Sequence, residues 1–144
     1  MKVYFDTAVL VAASIVDHPH YVQAITALRS VRARKMEAYI SCHGLAEVYA
    51  VLTRAPFTPP IHPSEAWQLL AENFLPYFEI VSLTAKEYEE TIRTCAQRGL
   101  GGGRIYDALH IRCAQKAACT RIYTFNVRHF QQLAPELADR MSAP

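Results

Sequence analysis

The 144-residue chain is poor in the features that would classify it at a glance. Its four cysteines, Cys42, Cys95, Cys113 and Cys119, form no C-x-x-C pair and no zinc-ligand pattern. That usage fits a reducing compartment, and Cys113 and Cys119 read as small buried apolar residues. Long apolar runs are also missing. "TAVLVAASIV" is far below the roughly 20 residues that span a bilayer. Asp6 interrupts the apolar N-terminal region and Lys2 alone precedes it, which argues against a signal peptide. The expectation is a cytoplasmic protein without a membrane partner. Charge of one sign is lacking too, since a net +2 is too small to identify a nucleic-acid binder by charge alone. Arg29, Arg32, Arg34 and Lys35 do cluster, and read as a solvated helix end. There is no internal repeat and no low-complexity tract, so length and composition indicate one globular domain over residues 1–144.

What is present is an alternation of short β-rich runs with helical ones. "KVYF", "EAYIS", "EIVSL" and "RIYTF" read as strands. Helical spacing marks "DTAVLVAASIV", "PHYVQAITALRSVRAR", "CHGLAEVYAVLTRA", "SEAWQLLAENFLPYF", "TAKEYEETIRTCAQRG" and the stretch from Arg104, with "NVRHFQQL" a short last helix. "PFTPPIHP" is a proline-rich turn inside the domain. "LADRMSAP" gives little sign of a further strand. The alternation predicts an α/β fold with a mostly parallel sheet and helices on both faces. Sites in such sheets form beyond the carboxyl ends of the strands, near a switch in strand order.

Four polar residues fall at such places. Stepping about 100° per residue through "RIYDALHIRCAQKAAC" puts Arg104, Arg112, Gln115 and Lys116 on one polar arc. Asp107 falls on the opposite, apolar arc, in line with Ile111, Ala114 and Ala118. An unpaired carboxylate there must be protonated, paired or bound to a cation, unless it serves only the helix dipole of its first turn. Asp6 directly follows the first strand, where it either caps the next helix or leaves capping to Thr7 and stays free. Glu47 points away from the stripe of Leu45, Val48, Tyr49 and Leu52, and pairing with His43 competes with a functional role. Asn126 follows the fourth strand as an N-cap or a ligand, and Thr124 shares its strand face. A parallel sheet can gather all four beyond one edge. Carboxylates so close stay ionised only beside a compensating cation, and hard oxygen ligands without a Cys or His cluster point to Mg2+ or Mn2+.

The segments "VYFDT", "AEVYAVLT", "YDALHIRCA" and "YTFNVRHF", in this order and context, resemble the PIN domain over essentially the whole chain. Within that family the small single-domain form is most similar to the toxin of VapBC-type toxin–antitoxin pairs. The resemblance implies a three-layer α/β/α fold and a Mg2+-dependent endoribonuclease, with Mn2+ as a substitute ion. It also implies a homodimer held inactive by a small antitoxin. Asp6, Glu47 and Asp107 would be the acidic metal-site residues, Thr124 the supporting hydroxyl and Asn126 a fourth ligand. Asn126 stands where the family often has Asp; it keeps an oxygen ligand, loses a charge and leaves the number of ions open. In the implied mechanism a metal-activated water attacks the phosphodiester in line, leaving a 5′-phosphate and a 3′-hydroxyl.

The remaining features are weighed against plainer readings. "GLGGGR" lacks the GxxxxGK[ST] pattern and reads as a loop leading into the Asp107 helix. Arg104, Arg112 and Lys116 are candidates for RNA phosphate contact, against a merely solvated face. His110 reads as a buried, hydrogen-bonded histidine, and Tyr49, Tyr106 and Phe125 as core or rim aromatics. Asn126 motivates one rival, an RNA-binding or regulatory module with a weakened metal site. A phosphatase of the haloacid dehalogenase type would want a second Asp where the chain has Ala8.

Overall fold

A computed structural model describes residues 1–144. Five strands form one parallel sheet in the order β3-β2-β1-β4-β5. They are β1 (Lys2–Phe5), β2 (Glu37–Ser41), β3 (Phe78–Val81), β4 (Arg121–Tyr123) and β5 (Met141–Ser142). The chain adds β2 and β3 on one side of β1, then crosses back to add β4 and β5 on the other. The switch in strand order therefore lies between β1 and β4, with Val3 opposite Arg121 and Phe5 opposite Tyr123.

Seven helices cover the sheet: α1 (Thr7–Ser14), α2 (Tyr21–Arg32), α3 (Cys42–Arg54), α4 (Pro63–Asn73), α5 (Ala85–Gln97), α6 (Arg104–Lys116) and α7 (Val127–Leu133). Strand alternation splits the core into two layers. Val3, Phe5, Ala38 and Ile40 face α1 to α4, where Leu10, Leu28, Val48 and Leu52 complete the larger cluster. Tyr4 and Ile122 face the other side, against Ile111, Ala114, Phe130 and Leu137. Because β1 is covered on both faces, "KVYF" is apolar at successive positions rather than alternating. Each fully buried Leu, Ile or Phe contributes about 1.5–3 kcal/mol. The three-layer α/β/α architecture agrees with the expectation.

Local chemistry sets the element ends. Thr84 caps α5 by accepting from Glu87 N, while Glu87 returns a bond to Thr84 N, each at 3.2 Å. Gly99 adopts φ 67° just after α5, a conformation that strains residues with a Cβ, and so ends the helix where the sequence suggested. At the C-terminus the expectation fails, because "LADRMSAP" completes a 3-10 turn (Pro135–Arg140) and then forms β5. Two residues carry no periodic signal. They pair as a strand because Leu137 and Met141 anchor the segment in the second cluster beside β4.

Glu87 also joins α5 to α6. Lys116 Nζ donates to it at 2.6 Å and Arg112 Nη2 lies 3.5 Å away. The Lys116 bond, with the backbone bond from Thr84, lowers its carboxyl from 4.5 to about 2. A folded value below the unfolded one means that this stabilisation exists above pH 4.5 and disappears as pH falls toward 2. Glu87→Gln is therefore expected to lower the thermal midpoint at pH 7 and leave it unchanged near pH 2. Circular-dichroism melts at both pH values check this, and an equal deficit at both would contradict it.

Candidate active site

The carboxyl ends of β1 and β4 meet at the switch point, and Asp6 is the first residue beyond β1. Its amide donates to Tyr123 O at 2.9 Å, which ties it to β4. Asp6 occupies the N-cap position of α1, yet its side chain makes no capping bond. Its Oδ2 instead accepts from Thr124 Oγ1 at 2.9 Å. Thr124 is fully buried, and its oxygen in turn accepts from Asn126 N at 3.0 Å. Asn126 stands at the N-cap of α7 without a side-chain cap, so its amide group is not spent on the helix.

Glu47 reaches the same place from α3. Ser41 caps that helix by accepting from Gly44 N at 2.8 Å, so α3 starts directly where β2 ends. Gly44 permits the helix to approach closely. A Cβ there would lie 3.0 Å from Ile40 Cγ1 and 3.3 Å from His110 Cε1. One turn later Glu47 pairs with His43, as the i,i+4 spacing suggested, and its Oε1 also lies 3.1 Å from His110 Nε2. Asp107 comes from the first turn of α6 and is half-buried on the side of Ile111 and Ala114, as the helical arc indicated.

His110 links these elements. It is 1% exposed, with Nδ1 2.6 Å from the Tyr4 hydroxyl, while Nε2 also lies 3.3 Å from Thr7 Oγ1 and 3.7 Å from Asp6 Oδ1. Burial opposes its charge, but the Glu47 hydrogen bond and the charges of Asp6, Glu47 and Asp107 outweigh it and raise its pKa. Burial would raise Glu47, whereas the bond to His110 and the charges of His110 and His43 bring it below the usual carboxylate value. Asp6 and Asp107 shift upward, both chiefly through burial, with Glu47 adding to each and Asp6 adding to Asp107. Three carboxyl groups thus act on one buried histidine, and a divalent cation fits that donor set.

The spacing is informative. His43, Glu47 and His110 offer ligand atoms that all lie within 4.8 Å of one another. Asp6, Glu47 and Asp107 form no such close group. Asp6 lies at the edge of the histidine group, its Oδ1 3.7 Å from His110 Nε2. Sequence reasoning noted His43 beside Glu47 and His110 as buried, yet read no histidine cluster. The only local signals were the spacing of His43 from Glu47 and of His110 from Asp107.

Of the three basic candidates, Arg112 and Lys116 are engaged with Glu87, and Lys116 also donates to Ser82 O at 2.8 Å. Arg104 opens α6 next to the pocket and has no acidic partner. Tyr106 is exposed and stacks on His43, with ring centroids 5.0 Å apart and planes 13° apart. No helix is long and apolar enough to cross a membrane.

Comparison with known proteins agrees with this architecture. Ribonuclease VapC27 of Mycobacterium tuberculosis is 40% identical over 73 residues, covering 51% of each chain. The chain thus spans about half the length of that curated relative. Mycobacterium tuberculosis VapC20, a Sarcin-Ricin loop cleaving toxin, superposes with a TM-score of 0.68 at 18% identity over 86% of this chain and 89% of that one. VapBC2 from Rickettsia felis, bound to a DNA fragment from its promoter, gives 0.66 at 22% identity over 99% and 98%. FitAcB from Neisseria gonorrhoeae gives 0.66 at 15% identity over 99% and 96%. The PIN domain family model matches residues 3–135, nearly the full length, and the chain belongs to the PIN domain family.

Proposed function

We propose that the chain is a divalent-metal-dependent endoribonuclease, the toxin of a VapBC-type pair. The observation that carries this reading is the meeting of Asp6, Glu47 and Asp107 around His110 at the strand switch, where all three charges act on that one buried histidine. The match to a ribonuclease VapC supports the choice of RNA as substrate. Asp6 and Asp107, directly or through water, with Glu47 and Asn126, would hold Mg2+, and Mn2+ could substitute. The bound ion would lower the pKa of a water and offset charge on the leaving oxygen. Thr124 fixes the Asp6 carboxylate by its hydrogen bond. Glu47, steadied by His110 and His43, would orient the ion's hydration shell or accept a proton as water attacks the phosphodiester. Arg104 stands where it can meet a backbone phosphate, whereas Arg112 and Lys116 must first leave Glu87.

The toxin reading carries with it a homodimer, a cytoplasmic setting and a separate antitoxin chain that covers the pocket. VapBC2 is the related assembly seen in a structural neighbour. The absence of an acid at position 126 favours a second reading, an RNA-binding module without cleavage.

The test is cleavage of a mixed RNA pool by purified protein in Mg2+, with and without EDTA, alongside Thr124→Val. Removing a group that orients a ligand costs about 10- to 100-fold. Wild type should cut, EDTA should stop it and Thr124→Val should slow it by that factor. Binding of RNA without cutting would establish the second reading, and cutting that survives EDTA would refute the metal requirement.

A further inference from the structure

The imidazoles around Glu47 form a site of different chemistry from the carboxylates. His43 and Glu47 are one turn apart on α3, and His110 reaches them from α6. His43 Nδ1, Glu47 Oε1 and His110 Nε2 lie within 4.8 Å of one another, so small side-chain adjustments bring them to ligand distance of one ion. Both rings are held in place, His110 through its far nitrogen and His43 across its face. The Tyr4 hydroxyl lies 2.6 Å from His110 Nδ1, and Tyr106 stacks on His43. An oxygen partner on the far nitrogen fixes the ring and tautomer of a metal-ligating histidine. His110 would bind through Nε2 as the Nδ1–H tautomer, with that N–H donating to Tyr4.

We propose that His43, Glu47 and His110 form a transition-metal site, specific for Zn2+ or Co2+ over Mg2+, that shares Glu47 with the acidic pocket. Two imidazoles and one carboxylate are a three-ligand set for zinc, with the fourth tetrahedral position left to water. Neutral nitrogen ligands favour zinc strongly over magnesium, which takes oxygen. Zinc at this site would take Glu47 away from the Mg2+ pocket. Zinc is then an inhibitor rather than a substitute ion; this regulatory consequence rests on the nuclease reading, whereas the binding itself does not.

The experiment is Zn2+ titration of the chelator-treated full chain by calorimetry, with Co2+ absorption reporting coordination and no RNA present. Wild type should take one equivalent with tetrahedral Co2+ bands. His43→Ala, truncated at a partly exposed position, should weaken zinc by at least about tenfold, while Asp107→Asn should bind as wild type does. Melts without metal verify that each variant is folded, and His110→Gln supplies a second ligand deletion. The proposal is overturned if wild type takes no zinc, if His43→Ala binds as tightly as wild type, or if Asp107→Asn loses as much as His43→Ala. In a cleavage assay at fixed Mg2+, zinc should inhibit wild type at concentrations at least about tenfold below those needed for His43→Ala. Zinc binding at His43 in a protein that cuts no RNA would refute the nuclease reading alone.

Discussion

Asp6→Asn is expected to slow RNA cleavage about 10³-fold and yet raise the melting temperature of the metal-free protein at pH 7. At 1.36 kcal/mol per tenfold, the loss is about 4 kcal/mol of transition-state stabilisation, the scale for removing one preorganised electrostatic group. The gain in stability has the opposite origin. Asp6 is 5% exposed, and burial is the chief cause that raises its carboxyl pKa. A raised folded value means that its contribution to stability is complete below the unfolded value and is lost as pH rises through the folded one. At pH 7 the buried carboxyl is therefore a liability, which asparagine removes while still accepting the Thr124 bond. The gain should vanish near pH 3 and reverse when Mg2+ is added, since wild type binds the ion more tightly. Rates on labelled RNA and melts in EDTA and in Mg2+ read the two effects separately. Activity within tenfold of wild type would remove Asp6 from the site, and a lower metal-free melting temperature would show that the carboxylate stabilises the fold. Asp107→Asn should share the loss of activity.

Phe130→Ala should cost about 3–5 kcal/mol of folding stability, a large part of the 5–15 kcal/mol typical of a domain. Phe130 is fully buried on α7 in the smaller cluster, with Ile122, Leu133, Leu137 and Met141 around it. The ring holds the last helix, the 3-10 turn and β5 against β4, so little remains to collapse into the void. Denaturant unfolding should show a lower midpoint at an unchanged slope. Because Thr124 and Asn126 lie between β4 and α7, the same variant should need more Mg2+ for half-maximal cleavage. A midpoint within 1 kcal/mol of wild type would mean that the smaller cluster repacks around the gap.

Much of this was legible in the chain, and the reasons differ by element. The inward turn of Asp107 followed from helical geometry, since α6 starts at Arg104 and keeps the expected arc. The four longer strands announced themselves as β-rich runs, although β4 stops at Tyr123, just before Thr124, whose side chain turns to Asp6. β5 did not, because two residues paired at a sheet edge owe their conformation to the neighbouring strand. The histidines were less legible still. His110 meets Glu47 across 63 residues and Tyr4 across 106, and no spacing rule connects positions so distant. The pairing of Arg112 and Lys116 with Glu87 was hidden for the same reason.

The bond from Thr124 to Asp6 closes a loop of 118 residues. Contacts of such separation bear a large loop-closure entropy and form only after local structure has condensed. During synthesis Asp6 emerges 118 residues ahead of Thr124, the residue that fixes its carboxylate. A nascent chain therefore has no assembled centre until β4 has been made. The parallel β1–β4 pairing thus acts as a timer, withholding the assembled centre until β4 has emerged.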